Sequence, residues 1–147
     1  MKRSSNESDT IVTCLFCRIV AGDAPAFIVW RGDELSAFLD IRPLFPGHVL
    51  LVPNRHTATL AELPASAIGP FFTFAQRLEA AVRVACDAPG TFVAMNNVVS
   101  QSVPHLHVHV VPRRPKDGLR GFFWPRTRYS DDESAQSVAA RIATELG

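Results

Sequence analysis

Apolar positions along the chain follow two periods, and together they outline a small mixed fold. Short apolar stretches at 27–30 and 35–38, joined by the turn residues Arg31-Gly-Asp-Glu34, read as paired strands. The next segment, Asp40-Ile-Arg-Pro-Leu-Phe-Pro-Gly47, carries two prolines and a glycine and reads as a loop. Residues 48–53 form a continuous apolar run closed by Pro53, the pattern of a central strand. A short helical turn is expected near 59–64. From 65 to 85 the period changes: Phe71, Phe74, Ala75, Leu78, Val82 and Ala85 recur at three- and four-residue steps, as on one face of a long amphipathic helix. Pro70 fits only the first turns of such a helix, which therefore starts at 65 or at Pro70 itself. Asp87-Ala-Pro-Gly90 stops it, strands follow at 91–95 and 106–111, and acids at Asp131-Asp-Glu-Ser134 open a last helix running to about Leu146. Strands and helices do not alternate strictly. The expected class is α+β, with a five-stranded, mainly antiparallel sheet, one long central helix and a C-terminal helix. Residues 1–10 are polar and are expected to form a disordered leader, with 11–147 as a single domain.

The net charge of +1 gives no general pull toward nucleic acid or an anionic membrane. No apolar run approaches the ~20 residues needed to cross a bilayer, and the N-terminus lacks the apolar core of a signal peptide. A cytoplasmic location is the expectation. Cys14 and Cys17 form a C-x-x-C pair, which in such a chain reads as metal-binding or redox-active before it reads as a disulfide. Cys86 falls in the helical pattern and reads as a small buried hydrophobe.

The chemistry concentrates at His105, His107 and His109, spaced two apart in Pro104-His-Leu-His-Val-His-Val-Val-Pro112. In a strand, residues at this spacing share one face, and Leu106, Val108 and Val110 then point the other way, into a core. Three readings compete: histidines without a role, a three-histidine metal site of the catalytic zinc kind, and a nucleophilic imidazole with two helpers.

The flanking residues favour the third. Phe38-Leu-Asp40-Ile-Arg-Pro43, Pro46-Gly-His48-Val-Leu-Leu-Val-Pro53, His56, Gln101-Ser102-Val103 and His105-Leu-His107-Val-His109-Val-Val111 stand in order. Together they resemble the histidine-triad (HIT) family of nucleotide hydrolases and transferases over roughly residues 14–113. The resemblance implies that His107 attacks the α-phosphate of a nucleotide derivative, forming a nucleotidyl-imidazole that water then hydrolyses. It implies that His109 and His48 flank the phosphate, that Gln101 and Ser102 hydrogen-bond the phosphate or bridging atom, and that Asp40 holds the ribose hydroxyls. Asn96 or Asn97 matches the family's polar residue ahead of that loop. Members with a C-x-x-C bind structural zinc, which implies one zinc per chain on Cys14, Cys17, His56 and His105. With four protein ligands such a zinc has no open position for water; a redox C-x-x-C is the rival. The implied substrate is a purine nucleoside phosphoramidate or related AMP conjugate, and the implied assembly is a homodimer through the 70–85 helix and its strand neighbours. Alternatives are a dinucleoside polyphosphate hydrolase or phosphorylase, a nucleotide-binding regulatory protein with vestigial turnover, and a mononuclear metal hydrolase using all three histidines. Phe122-Phe-Trp-Pro-Arg126 stands outside the signature and reads as packing, with a specificity role as the rival. Arg113, Arg114, Arg120, Arg126 and Arg128, around the same segment, read as solvated surface charge.

Overall fold

In chain order the elements are α1 (Leu15–Ala21), β1 (Ile28–Arg31), β2 (Leu35–Leu39), β3 (Val49–Pro53), a 3-10 turn (Leu60–Glu62), α2 (Ala65–Ala85), β4 (Gly90–Ala94), β5 (Val108–Arg113) and α3 (Asp132–Leu146). The structure, a computed structural model, describes residues 9–10, 13–120 and 127–147. The segment 122–126 lies outside the described residues, as do residues 1–8 of the expected leader. Asp9 and Thr10 are helical, and Cys14 N–H donates to Thr10 O at 2.9 Å. The chain forms two compact units, Met1–Pro115 and Lys116–Gly147.

The sheet lies in the first unit, in the order β1-β2-β3-β5-β4, and each neighbouring pair is antiparallel. β3 is buried along its whole length because both faces of the sheet are covered. Val49 and Leu51 join Ala37, Val108 and Val110 under Phe71, Ala75, Leu78 and Val82 of α2. Leu50 and Val52 join Phe38 under Phe16, Cys17 and Ile19 of α1. This two-sided cover explains why the 48–53 run shows no alternation. Each large side chain so buried contributes about 1.5–3 kcal/mol. The β1–β2 hairpin is stapled by Asn54, whose Nδ2 donates to Gly32 O and Asp33 O at 2.8 and 3.0 Å.

The bounds of β5 and β4 depart from the sequence expectation. β5 begins at Val108, two residues later than expected, so only His109 of the three histidines sits in the ladder. Continuing the β3–β5 register would set Leu106 opposite Pro53, which has no N–H to give. Leu106 N–H turns to Thr57 O at 2.6 Å instead. β4 ends at Ala94 and excludes Met95. α2 starts at Ala65, the earlier of the two expected starts, and carries Pro70 inside it. The carbonyl that Pro70 leaves without a partner belongs to Ser66, which is exposed to water. Cys86 closes α2, half-buried against the core, and its carbonyl and that of Asp87 accept from Arg114 Nη2.

In the second unit, α3 is N-capped by Asp131, whose Oδ1 accepts from Ser134 N–H at 2.7 Å. Among its residues none is buried.

Candidate functional site

His109 projects from β5 on the α1 side of the sheet, beside Leu50 in the β3 register. His107 and His105 precede the strand yet keep the shared face. The His107 and His109 rings lie 4.9 Å apart, and both His105 and His107 meet the ring of Phe16 edge-on. Leu106, Val108 and Val110 point into the opposite core, as the spacing predicts.

Backbone groups determine which nitrogen of each ring carries its proton. A carbonyl can only accept, so Nδ1 of His107, 2.7 Å from His105 O, is its N–H, and Nε2 keeps the lone pair. Pro53 O, 2.8 Å from His105 Nε2, likewise places the His105 proton there and leaves Nδ1 as the free lone pair. Leu44 N–H donates to His48 Nδ1 at 3.1 Å, so His48 carries its proton on Nε2 and gives it to His109 Nδ1 at 2.9 Å. The proton of neutral His109 then sits on Nε2. The result is a directed chain, Leu44 to His48 to His109, that ends in an N–H, beside an imidazole that ends in a lone pair.

Added protons are unwelcome here. Burial, and then the neighbouring His107 and His48, push His109 down to about 4 against a weaker upward pull from Asp40. Burial also lowers His48, opposed by Asp40. Asp40 and His48 meet across the mouth of their loop: Asp40 N–H donates to His48 O at 2.9 Å, and Asp40 Oδ2 lies 3.6 Å from His48 Nε2. Asp40 Oδ1 accepts from Arg42 N–H. Asp40, His48 and His109 bring donor atoms close enough for a cation. The amide of Leu44 opposes that use, because a metal on His48 Nε2 would move the proton to Nδ1, against an N–H.

Gly47 sets up His48. It holds φ of +98°, and a Cβ there would run into Cys86 Sγ, so neither the conformation nor the space admits a side chain.

Asp40, Ser102, His107 and His109 line one cleft of about 470 Å³. Its apolar wall comes from Leu15, Phe16, Ile19, Phe38, Ile41 and Leu50, with Arg42 also on the lining. His48 stands behind His109. Asn96, Asn97 and Gln101 are not brought into this cleft. Gln101 Nε2 donates to Ala58 O at 2.7 Å and its Oε1 accepts from Val98 N–H. Asn97 Oδ1 accepts from Leu60 N–H, and Asn96 Nδ2 donates to Ser100 O. These amides hold the 96–101 loop, in which Val98 and Ser100 adopt positive φ. The apolar wall escaped sequence reasoning. Its only signal is the spacing of Leu15, Phe16 and Ile19, which core packing would produce equally.

A second cluster lies on the other side of Phe16. Cys14, Cys17, His56 and His105 place their ligand atoms within 4.8 Å of one another. Cys14 Sγ and Cys17 Sγ each lie 3.5 Å from His105 Nδ1, and Cys17 Sγ lies 3.2 Å from His56 Nδ1. Zinc bonds of about 2.3 Å to sulfur and 2.0–2.1 Å to nitrogen set tetrahedral S and N ligands about 3.5 Å apart. These three sulfur–nitrogen distances are close to that spacing, and two thiols with two imidazoles are a donor set that suits the ion. Burial and then Cys14 push the Cys17 thiol up to about 12, so it ionises only where a cation compensates the charge. Burial holds His105 neutral, down to about 4, as a metal ligand requires.

The chain is similar to known proteins in sequence and in fold. The HIT domain profile matches residues 21–116. An uncharacterised HIT-like protein of Mycobacterium tuberculosis is 40% identical over 108 residues, 72% of this chain and 75% of that protein. The adenosine 5'-monophosphoramidase of Candida albicans is 29% identical over 140 residues, 91% of each. Among solved structures, a HIT-family member from Bacillus subtilis superposes with a TM-score of 0.80 at 32% identity, covering 92% of this chain and 98% of its own. A zinc-bound histidine triad family protein from Mycobacterium smegmatis does so with a TM-score of 0.70 at 36% identity, over 91% of this chain and 96% of its own. With its profile match, its relatives and its five-stranded antiparallel sheet, this chain belongs to the HIT family.

Proposed function

We propose that the chain hydrolyses a purine nucleoside phosphoramidate or related AMP conjugate through a covalent nucleotidyl-histidine on His107. The observation that carries this reading is the 2.7 Å hydrogen bond from His107 Nδ1–H to His105 O. It leaves a neutral imidazole with its Nε2 lone pair unspent, which is the nucleophile such chemistry needs. The His109 Nε2–H beside it supplies a donor for a phosphoryl oxygen.

In the first step the Nε2 lone pair forms a bond to phosphorus. The bond from phosphorus to the leaving nitrogen breaks, its electron pair staying on nitrogen, which takes up a proton as it departs. That proton comes from solvent, while Ser102 and His109, donors on the cleft lining, hydrogen-bond the departing group and the phosphoryl oxygens. In the second step a water oxygen bonds to phosphorus, the bond to Nε2 returns its pair to His107, and the proton lost by water returns to solvent. The net change is conjugate plus water to AMP plus amine. Asp40 holds the ribose hydroxyls and the apolar wall takes the base. His48 fixes His109, while Gln101, Asn96 and Asn97 hold the loop that presents Ser102.

Cys14, Cys17, His56 and His105 hold one zinc, which supplies a structural cross-link and no site for water. The zinc-bound mycobacterial neighbour supports this, and the relative named as a monophosphoramidase supports the substrate class. We place the protein in the cytoplasm as a homodimer; no helix among the described residues is long and apolar enough to cross a membrane.

Incubation with adenosine 5'-phosphoramidate should release AMP, with diadenosine tri- and tetraphosphate turned over more slowly. Faster turnover of the diadenosine compounds would move the assignment to a dinucleoside polyphosphate hydrolase. No AMP from any of them, with folded protein, would sink the enzymatic reading.

A further inference from the structure

The first turn of α1 belongs to both clusters. Cys14 and Cys17 bring their thiols to the metal ligand set, and Phe16 between them turns toward the cleft. Phe16 sets its ring edge-on to His107, with centroids 5.1 Å apart at 88°, and also meets His105 at 5.9 Å. Such edge contacts orient rings as well as bury them. His105 is likewise shared, its Nδ1 facing the thiols while its carbonyl holds His107 Nδ1–H. His107 is therefore gripped from two sides, and each grip depends on how α1 and His105 are held.

α1 is held by its packing, with Phe16, Cys17 and Ile19 buried against Phe38, Leu50 and Val52, and not by its own helical stability. At seven residues it is too short to be stable alone, and its N-cap Cys14 makes no side-chain capping bond. Without a cation, only thiol–imidazole contacts join Cys14 and Cys17 to His56 and His105.

We propose that metal binding at Cys14, Cys17, His56 and His105 is thermodynamically coupled to nucleotide binding in the cleft, with Phe16 and the His105 carbonyl as the two links. The proposal rests on the nucleotide reading above. Ordering α1 and the His107 ring lowers what nucleotide binding must spend on ordering them. Coupling of this kind is reciprocal, so nucleotide must tighten metal binding by the same factor. Phe16 acts on His107 as a positioning residue.

Calorimetric titration of AMP into zinc-loaded and chelator-stripped protein measures one side; chelator competition for zinc, with and without saturating AMP, measures the other. AMP should bind at least about five-fold tighter to the zinc form, and zinc should gain the same factor from AMP. Phe16→Leu keeps both cysteines and should keep one zinc, but both factors should fall together, what remains being carried by the His105 carbonyl. A merely structural phenylalanine would lower affinities without lowering this matched ratio. Should the stripped protein lose its circular-dichroism signature of folding, the rate of zinc release to a chelator from loaded protein decides. AMP should slow it several-fold in the native sequence and by a smaller factor in Phe16→Leu. Equal AMP affinities for folded zinc-loaded and zinc-free protein, or release rates indifferent to AMP, overturn the coupling and leave the nucleotide reading standing. No AMP binding by zinc-loaded protein overturns both.

Discussion

His107 Nδ1 donates to the carbonyl of His105, two residues earlier, at 2.7 Å, so one chain segment both carries the imidazole and fixes its proton. Replacing His107 by alanine removes the nucleophile and should lower turnover by a factor on the order of 10⁴ or more. The His105 carbonyl then loses its donor, at a cost to stability of about 1 kcal/mol. AMP release and thermal melting measure the two effects. Turnover within ten-fold of the native sequence would remove His107 from the chemistry.

His109 should stay neutral well below the ordinary histidine range. Its pKa in the fold is about 4 against an ordinary 6.5, with burial the main cause. The unfolded chain therefore takes the proton first as acid is added. The associated stability is present in full above pH 6.5 and is lost as pH falls from there through 4. His48 is shifted in the same direction. Geometry acts in the same direction as burial, since a proton added to His48 Nδ1 faces Leu44 N–H and one added to His109 Nδ1 faces His48 Nε2–H. Imidazole shifts followed by NMR should show His109 unprotonated at pH 6; a titration midpoint near 6.5 would contradict the directed chain.

Much of this arrangement is legible in the residues, for identifiable reasons. The 48–53 run announces a central strand because helices cover both its faces, and the two-residue histidine spacing survives even where the ladder ends. The start of β5 is not legible, because it depends on Pro53 lying opposite Leu106 across a loop and a helix. Asn96, Asn97 and Gln101 resist reading for a related reason. An amide ahead of a histidine segment can serve a ligand or its own loop, and only the positions of Ala58, Leu60 and Val98 distinguish the two. Phe16 shows nothing in sequence, since a phenylalanine between two buried cysteines looks like any core residue.

Gly47→Ala should destabilise the fold and weaken the site together. The backbone there is left-handed, which costs a residue with a side chain about 1–3 kcal/mol, and the new methyl meets Cys86 Sγ. His48 is the next residue, so the displacement falls on the His48–His109 pair. Adding Cys86→Ala relieves the overlap but not the φ, and should restore part of the loss in a thermal melt. A Gly47→Ala protein as stable as the native one would show the loop to be slack.

Metal analysis should find one zinc per chain. Cobalt in its place should give the sulfur-to-metal absorption of two thiolates, diminished in Cys17→Ser. The two buried thiols must ionise to bind, so affinity should fall as pH is lowered. Chelation should lower the melting temperature, because the ion ties α1 to the segment holding His56 and His105. Unchanged zinc content in Cys17→Ser would exclude this ligand set.

The proposed homodimer can be assigned to one face. Ile68 and Phe72, one turn apart on α2, are 43% and 41% exposed, and Val93 on β4 is 47% exposed. β4 is an edge strand, and Val93 stands opposite Val110, whose side chain lies in the cluster beneath α2. Val93 therefore lies at an edge strand on the helix-covered side of the sheet, the side that also carries Ile68 and Phe72 of α2. A two-fold pairing there would cover apolar surface at an edge of the sheet. A charge at the centre of such an interface would be buried without a counter-ion, so Phe72→Glu with Val93→Glu should yield monomer. Light scattering after size exclusion reads the mass directly. A native protein monomeric at tens of micromolar would remove the dimer, and a double variant that remains dimeric would move the interface elsewhere.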